Sequence, residues 1–448
     1  MNKLFGTDGV RGEANKFITS DLAFKLGKAA AYLLKETHHK NNAIIIGKDT
    51  RISGDMLESA LAAGICSMGV DVYLLGICPT PAVAYLARNL DFISGVMISA
   101  SHNPAIDNGI KFFDSKGYKL PDKMEEAVEK FIIEEKTDSL PKVPGDQTGR
   151  IYSGVDLLDH YKKFLVEKFS LNTGDLKIVV DCANGSASKI MPEILKLNNC
   201  NFKAIHNQPN GININLNCGS THLESLKEEV LKEKADVGIA HDGDSDRVLF
   251  IDHNGQEIDG DMVMAIVAKD LKKKGLLKKN LVVGTVMSNL GLKKFLEKEN
   301  IDFIEANVGD RYVLEEIKKN KGSFGGEQSG HIIFLDYNTT GDGILTALVF
   351  LRLLKESGVS TEALFKDFIK YPQVLENAKI ARKNGWEKNP VIQENIKKAK
   401  EILGNDGRIL VRASGTENLI RVMVEGNNQE KINEIATDLK NIILGELN

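Results

Sequence analysis

Apolar residues recur along the chain with two spacings, one typical of buried strands and one typical of amphipathic helices. Residues 20–37 have apolar side chains at helical spacing after a Thr-Ser start, and residues 43–47 (AIIIG) form a short apolar run. A helix over 55–68, a strand over 70–75, a helix that begins at a Pro-Thr-Pro sequence and a strand over 96–98 follow. Strands that alternate with helices require crossover connections, so the pattern predicts a largely parallel sheet covered by helices on both faces.

The same order of strands and helices occurs twice more. Its predicted strands are residues 177–180, 202–205, 237–240, 281–285, 303–304 and 323–324. From about residue 370 the pattern changes to two strands, over 409–411 and 420–424, and a long helix over 429–444. We therefore predict an α/β fold of three similar mixed-sheet α/β domains plus a smaller C-terminal α+β domain.

The predicted domains are residues 1–150, 151–255, 256–368 and 369–448. The Pro- and Gly-rich residues 137–150 are the predicted linker between the first two domains. The third strands of the three similar units end in SASHNP, DGDSDR and GEQSGH. Because ligands of open α/β sheets gather at the carboxyl ends of strands, these polar sequences predict that the domains surround one central cleft.

The charged residues exclude several classes of partner. The chain has 58 basic and 62 acidic residues and a net charge of -4. This balance provides no basic stripe for nucleic acid and no polybasic patch for a membrane, so an anionic ligand must meet local positive charge. With no apolar signal segment and no run of about eighteen apolar residues, we expect a cytoplasmic protein. Scattered cysteines are typical core thiols of a reduced compartment: Cys66, Cys78, Cys182, Cys200 and Cys218.

The sequence VMISASHNPAIDNGIKFF, residues 96–113, places a hydroxyl at the end of a buried strand. Ser101 and His102 are adjacent, so in an extended segment their side chains point to opposite faces and cannot form a Ser-His dyad. A serine without its own base suits phosphoryl transfer, where positioning and charge neutralisation carry most of the catalysis. The alternative is a serine that caps a helix beside an Asn-Pro turn. Lys111 is either a cation near the transferred group or a solvated lysine.

The sequence DGDSDR places Asp242, Asp244 and Asp246 on alternate residues of a turn. Carboxylates this close repel one another unless a cation lies among them, and an all-oxygen set selects a hard ion such as Mg²⁺. An EF-hand is excluded, because its sixth and twelfth positions would be Arg247 and His253 instead of Gly and Glu. A solvated turn remains the alternative. Arg247 could couple the metal to a phosphate or form a simple ion pair.

Two further glycine-rich loops contain candidate binding residues. In GGEQSGH, Glu327 and Ser329 could bind sugar hydroxyls, although an ordinary turn explains the sequence equally well. His331 could be an acid or base, or a structural histidine. In FGTDGVRG, near the N-terminus, Arg11 could reach an anion, whereas the simpler interpretation is a turn.

The sequence RASGTENLIR in the last domain concentrates cations, hydroxyls and exposed backbone N–H groups around a small turn. These are the groups that bind a phosphate dianion, and a charged turn without a ligand is the alternative. The candidate residues are Arg412, Ser414, Gly415, Thr416 and Arg421.

Together these motifs give the chain a resemblance to the α-D-phosphohexomutase superfamily over essentially its whole length. FGTDGVRG, ISASHNP, DGDSDR, GGEQSGH and RASGTENLIR occur in the superfamily's order. The first, second and fourth have the forms usual in the bacterial branch that acts on glucosamine phosphates. The metal loop has Ser245 where glycine is commoner, and a side chain this small should not disturb ligation.

The resemblance implies an intramolecular phosphotransferase in which Ser101 is carried as phosphoserine. It implies one Mg²⁺ per site, held by Asp242, Asp244, Asp246 and a phosphoserine oxygen. The enzyme would convert glucosamine 6-phosphate to glucosamine 1-phosphate through a bound 1,6-bisphosphate. It would thereby supply UDP-N-acetylglucosamine for cell-wall synthesis, and glucosamine 1,6-bisphosphate or glucose 1,6-bisphosphate would serve as activator.

The resemblance also implies functions for the remaining motif residues. Arg11, Lys111 and Arg247 would stabilise the transferred charge or move protons. Glu327 and Ser329 would bind sugar hydroxyls. The non-transferring phosphate would bind to Arg412, Ser414, Thr416 and Arg421. A homodimer is possible on the same grounds.

Other functions fit the same residues. A mutase that acts mainly on mannose or glucose phosphates would share every catalytic residue. A non-catalytic phosphosugar sensor on the same scaffold is an alternative of another class, but intact Ser101 and the three aspartates disfavour it. An aspartyl-phosphate hydrolase that uses DGDSDR fits less well, because it leaves the serine and the phosphate loop without a function.

Overall fold

A computed structural model describes residues 4–6, 8–37, 42–171, 174–381, 385–414 and 418–448. Within these residues the chain forms four β-sheets with helices packed on them, three in similar α/β units and one in a smaller C-terminal α+β unit. The predicted fold class is confirmed. Among the helices described, none is both long and apolar enough to cross a membrane.

The first sheet is mixed, with strand order β1-β5-β4-β2-β3-β6. Its central strands β4, β2 and β3 and the edge strand β6 are parallel, whereas β5 and β1 pair antiparallel. The strands are β1 Val10–Glu13, β2 Ala43–Lys48, β3 Asp71–Ile77, β4 Ser94–Ile98, β5 Asp107–Asp114 and β6 Ile151–Ser153. The helices are α1 Ser20–Thr37, α2 Ser53–Cys66, α3 Thr80–Asn89 and α4 Asp122–Ile133.

Alternate residues of β2 and β4 pack on opposite faces of this sheet. Ile44 and Ile46 belong to the core beneath α1 and α2, whereas Ile45 and Met97 belong to the core that includes α3. This period of two explains why continuous apolar runs predict strands buried on both faces. Residues 151–153 lie at the start of the predicted second domain, 151–255, but pair with β3 of the first sheet.

The second sheet has the order β11-β10-β9-β7-β8. Its strands are β7 Lys177–Asp181, β8 Asn201–Ile205, β9 Val237–His241, β10 Val248–Asp252 and β11 Glu257–Ile258. Its helices are α5 Leu158–Lys168, α6 Ala187–Leu197 and α7 Glu224–Glu233. The strands β9, β7 and β8 are parallel, and β10 returns antiparallel to β9.

The third sheet has the order β13-β12-β14-β15. Its strands are β12 Leu281–Thr285, β13 Asp302–Ala306, β14 Phe324–Gly326 and β15 Ile332–Phe334. Its helices are α8 Gly260–Lys273, α9 Leu290–Lys298, α10 Asp310–Lys319, α11 Gly343–Ser357 and α12 Thr361–Leu364. One apolar cluster includes side chains of α3, α5, α6, α8 and α11, so the first three units share a continuous core.

The fourth sheet is antiparallel, with order β16-β18-β17 and a separate apolar core. Its elements are β16 Gln373–Lys379, α13 Pro390–Leu403, β17 Gly407–Ala413, β18 Leu419–Gly426 and α14 Gln429–Leu447. The predicted elements include β17, β18 and α14 but not β16 or α13. The strand β16 has only one buried residue, Ala378, so its apolar pattern is weak, whereas α13 has buried Ile392, Ile396, Ala399 and Leu403 at helical spacing and could have been predicted.

Candidate active site

Three of the chemical motifs occupy the same position in their units. Residues 99–106 join β4 to β5, residues 242–247 join β9 to β10, and residues 327–331 join β14 to β15. In each unit the motif is therefore the connection from the third strand to an antiparallel return strand. The sequence predicted the strand ends but missed the return strands.

Ser101 is buried and contacts the acidic loop directly. Its Oγ donates to Oδ2 of Asp242 at 2.6 Å. The backbone has a φ of 53°, a left-handed conformation that is uncommon for serine. The backbone N–H donates to Ser99 Oγ at 2.9 Å, and the carbonyl accepts from Arg51 Nη2 at 3.1 Å and Asn215 Nδ2 at 2.9 Å. Surrounding side chains thus hold the strained serine against the acidic loop.

The three aspartates of DGDSDR form a compact buried set. Asp242, Asp244 and Asp246 each offer one carboxylate oxygen within 4.8 Å of the others. Burial, followed by the charges of Asp246 and Asp244, raises the pKa of Asp242 well above its ordinary value. Oδ1 of Asp244 and Oδ1 of Asp246 are buried and have no hydrogen-bond partner among the residues that the structure describes. A cation among these oxygens would relieve both the repulsion and the missing contacts, so the donor set fits a divalent metal ion.

Lys111 supplies positive charge next to this set. Its side chain is 2% exposed, and Nζ lies 2.8 Å from Asp244 Oδ2 and 3.2 Å from Asp8 Oδ2. Thr80 Oγ1 donates to the same Asp244 oxygen at 2.5 Å. Burial alone would raise the pKa of Asp244, but Lys111, Thr80 and Arg11 together hold it below its ordinary value. Asp244 is therefore ionised beside a buried ammonium.

Arg247 and His102 contact each other across the two loops. Arg247 Nη1 lies 3.2 Å from His102 Nδ1. Burial, then Arg247 and Arg11, lowers the pKa of His102 to about 4. Because a guanidinium only donates, the neutral ring accepts at Nδ1. His102 therefore orients Arg247. The hydroxyl of Ser101 donates to Asp242 and not to the neighbouring histidine.

An ion-pair chain extends the site toward the third unit. Arg11 pairs with Asp8, whose Oδ1 lies 2.5 Å from Lys119 Nζ. Lys119 Nζ is also 2.6 Å from Asp310 Oδ2. Burial would raise the pKa of Asp310, but the ammonium of Lys119 outweighs it and lowers the pKa. Sequence reasoning missed Lys119 and Asp310, and only the FGTDGVRG motif gave a signal for Asp8.

His331 is buried, and its ring has a defined hydrogen-bond direction. The Gly341 N–H donates to Nε2 at 2.8 Å, while Nδ1 lies 3.7 Å from Asp246 Oδ2. A side chain on residue 341 would overlap the imidazole. The neutral ring therefore carries its proton on Nδ1, the nitrogen that faces the acidic loop.

A cavity of about 600 Å³ opens beside the Lys119–Asp310 pair. Arg311 and Thr339 also line it. Its size suits a small ligand, and it lies between the first and third units, although none of the three aspartates lines it.

The sugar-loop residues are divided between two surroundings. Glu327 Oε1 accepts from the Gly309 N–H at 3.0 Å. Ser329 Oγ is buried and has no hydrogen-bond partner within the described part of the chain, and Ser329 lines another cavity together with Asn289 and Lys370. Glu327 thus contacts the turn before α10. Ser329, in the third unit, lines a cavity that the fourth unit also lines.

The phosphate-loop candidates lie in the fourth sheet. Arg412 and Arg421 are directly opposite each other in the register of β17 and β18. Burial and then the nearby Arg421 lower the pKa of Arg412. Like charges opposite each other in a sheet are destabilising, so this arrangement fits an anion. The Ser414 N–H donates to the carbonyl of Leu419 at 2.9 Å, and Gly415 and Thr416 lie outside the described residues.

Comparison with known proteins accounts for this arrangement. Four phosphoglucomutase/phosphomannomutase models match: α/β/α domain I over residues 2–139, domain II over 157–255, domain III over 259–371 and the C-terminal domain over 375–442. A phosphoglucomutase/phosphomannomutase family structure from Burkholderia thailandensis has a TM-score of 0.84 at 22% identity, covering 99% of this chain and 97% of the other. The N-acetylphosphoglucosamine mutase of Aspergillus fumigatus, solved with GlcNAc-6P and magnesium, has a TM-score of 0.67 at 18% identity, covering 99% and 96%.

Sequence relatives are much closer. A phosphoglucosamine mutase from Desulforamulus reducens is 53% identical over 443 residues, covering 99% of each chain. One from Caldicellulosiruptor saccharolyticus is 53% identical over 452 residues, covering 100% of each chain. The common position of the three strand-end loops and these matches agree: the chain belongs to the phosphoglucomutase/phosphomannomutase family, in the branch of the bacterial phosphoglucosamine mutases.

Proposed function

We propose that this protein interconverts glucosamine 6-phosphate and glucosamine 1-phosphate, with Ser101 as the residue that gives and receives the phosphoryl group. The observation that carries the proposal is the 2.6 Å contact between Ser101 Oγ and Asp242 in the buried acidic set. A hydroxyl at this distance from a metal-binding set can share one phosphoryl oxygen with the ion. The choice of glucosamine phosphate as substrate rests on full-length relatives that are 53% identical and are phosphoglucosamine mutases.

In the forward direction a phosphoryl group on Ser101 moves to the 1-hydroxyl of the sugar. The sugar oxygen attacks phosphorus, the bond from phosphorus to Ser101 Oγ breaks, and the hydroxyl proton passes to a base. The bound 1,6-bisphosphate then reverses its orientation and returns its 6-phosphoryl group to Ser101. The net change is an isomerisation, so no other phosphate donor is consumed.

Asp242, Asp244, Asp246 and a phosphoserine oxygen would hold one Mg²⁺. When bound, this ion would neutralise charge on the group in transfer. Lys111, beside Asp244, and Arg11, beside Asp8, would add positive charge, and Arg247 would do so from the position set by His102. His331 would hold its proton at Nδ1, toward Asp246.

Contacts with parts of the substrate far from the transferred phosphoryl group would contribute binding energy to the reaction. Glu327 and Ser329 would bind sugar hydroxyls. The non-transferring phosphate would bind to the fourth unit through Arg412, Ser414, Gly415, Thr416 and Arg421. Binding energy from this distant phosphate would orient the reacting end, and closure of the fourth unit would exclude water that hydrolyses phosphoserine.

The experiment combines a substrate panel with a measurement of covalent phosphate. Wild-type protein and Ser101→Ala are assayed with the 6-phosphates of glucosamine, mannose and glucose, in the presence of Mg²⁺ and glucose 1,6-bisphosphate or glucosamine 1,6-bisphosphate as activator. We expect the highest kcat/KM for glucosamine 6-phosphate and one added phosphate in the intact mass of the wild type only. A higher kcat/KM for mannose or glucose phosphate would identify the alternative mutase, and undiminished turnover by Ser101→Ala would contradict the serine mechanism.

A further inference from the structure

A second group of potential ligands lies outside the Ser101 site, at the carboxyl ends of two parallel strands. Asp181 is the last residue of β7, His206 follows β8, and Cys218 lies in the long loop before α7. A carboxylate oxygen, a ring nitrogen and the thiol sulfur lie within 4.8 Å of one another. We propose that these three side chains bind a Zn²⁺ ion that stabilises the 206–222 loop.

The histidine geometry is that of a ligand more than that of a hydrogen-bond donor. His206 Nδ1 is buried and lies 3.0 Å from Asp181 Oδ2, and no well-aligned hydrogen bond joins it to any of the described residues. Two ligands of one tetrahedral zinc ion, each about 2.0–2.1 Å from the metal, have a separation of this order without pointing at each other.

The backbone around the other two ligands, Asp181 and Cys218, holds them in place. Asp181 accepts backbone N–H groups from Ala183 at 2.8 Å and Gly219 at 2.9 Å, which fixes the carboxylate and leaves further lone pairs. A side chain on residue 219 would come within 2.6 Å of Ala183 Cβ, so glycine allows the loop to bring Cys218 close. Asp181 and Cys218 are fully buried.

The chemistry of the set selects the ion. One oxygen, one nitrogen and one sulfur ligand suit the borderline-soft Zn²⁺, whereas Mg²⁺ and Ca²⁺ prefer oxygen alone. Three protein ligands leave a fourth position for water on the partly exposed side of His206. The all-oxygen triad of the Ser101 site and this mixed set would therefore hold different metals.

The position of the loop gives the ion a structural purpose. Between His206 and Cys218 the loop contains Asn215, whose amide donates to the carbonyls of Ser101 and Asn103. The loop has several residues with positive φ, including His206 and Asn215. A zinc ion at its base would hold this strained segment to the sheet, and through Asn215 it would support the serine loop.

The test measures metal binding by the full-length protein in excess Mg²⁺, which occupies the oxygen triad. We expect one equivalent of zinc per chain by native mass spectrometry and a higher Tm with zinc than without it. Co²⁺ in place of zinc should give a thiolate-to-cobalt absorption band, which an all-oxygen site cannot produce. Cys218→Ser should abolish the band, whereas the matched control Cys182→Ser, at a buried cysteine beside Asp181, should keep it.

His206→Gln is a second variant for the case in which Cys218→Ser does not fold. The His206 side chain is partly exposed, so its replacement should not prevent folding. We expect this variant to bind zinc at least tenfold more weakly and to lose the zinc-dependent rise in Tm. Absence of zinc from the wild type, a cobalt band that survives Cys218→Ser, or zinc affinity unchanged by His206→Gln would each overturn the proposal.

Discussion

The side-chain amide of Asn215 donates to the backbone carbonyl of Ser101 at 2.9 Å, and it also reaches the carbonyl of Asn103 at 3.1 Å. Asn215 belongs to the loop that follows β8, whereas Ser101 follows β4. The serine therefore depends on a second unit of the fold for its backbone conformation. A left-handed φ at a residue with a side chain costs roughly 1–3 kcal/mol, which contacts of this kind offset.

Asn215→Ala should lower kcat while leaving KM nearly unchanged, because it frees the serine loop without touching the sugar. A lost hydrogen bond to a buried carbonyl costs about 1–3 kcal/mol, and the expected fall in kcat is about tenfold to a hundredfold. Steady-state kinetics with glucosamine 6-phosphate measures it. Asn213→Ala is the matched control, since that side chain contacts its own loop through Asn210 and Gln208. Equal kcat values for the two variants would show that Asn215 does not position Ser101.

Gly243→Ala should push the serine loop away from the acidic loop. A Cβ on residue 243 would lie 2.5 Å from the Ser101 carbonyl oxygen, closer than real Cβ contacts allow. We expect at least about a tenfold loss of kcat and less phosphate on the serine in the intact mass. Gly145→Ala, where a Cβ would meet nothing within 4 Å, should retain full activity. Normal activity of Gly243→Ala would mean that the serine loop tolerates displacement from the aspartates.

Lys111→Met should destabilise the protein by about 3–5 kcal/mol, because it leaves the buried carboxylate of Asp244 without its closest cation. Mg²⁺ should recover more stability in this variant than in the wild type, since the ion replaces the missing charge. Thermal melts with and without Mg²⁺ measure both effects. The control Lys116→Met removes an exposed lysine on the same hairpin. It should change neither the stability nor the stabilisation by Mg²⁺. Equal Mg²⁺ effects in Lys111→Met and wild type would indicate that the metal binds away from Asp244.

The sequence was sufficient for the parts of the site that depend on local pattern. Ser101 and the aspartates follow apolar runs whose length indicates buried strands, so their convergence at strand ends could be predicted. Asn215, Lys119 and Asp310 could not be predicted, because their function depends on contacts with residues more than 100 positions away. Nothing in their immediate sequence distinguishes them from surface residues.

The return strands were missed for a related reason. β5 contains Lys111 and Asn108 within an otherwise buried strand, and these polar residues conceal its apolar pattern. They are tolerated because each has a partner: Asn108 donates to Ser53, and Lys111 pairs with Asp244. Functional polar residues thus weaken the sequence signal in the strands that carry the site.

Asp261 should make stability depend on pH near neutrality. Its Oδ2 accepts from the Asn289 N–H at 2.7 Å, while Oδ1 is buried and accepts no hydrogen bond from the residues described. Burial and then the charge of Asp259 raise the pKa of Asp261 to about 8. Between the unfolded value of about 4 and this pKa, the folded state holds a proton that the unfolded state has lost. The stability from this group is therefore complete at low pH and is lost as pH rises toward 8.

Asp261→Asn should remove this dependence, because an amide keeps the acceptor for Asn289 and never ionises. Wild-type stability should fall by up to about 1.4 kcal/mol per pH unit on account of this group, and the variant should be the more stable protein above about pH 8. Urea unfolding at several values between about pH 5 and pH 9 measures the two slopes. Asp156→Asn, at an exposed carboxylate, should keep the wild-type slope. Parallel pH profiles for wild type and Asp261→Asn would mean that Asp261 is ionised in the folded protein, with its charge balanced by neighbours such as Lys370.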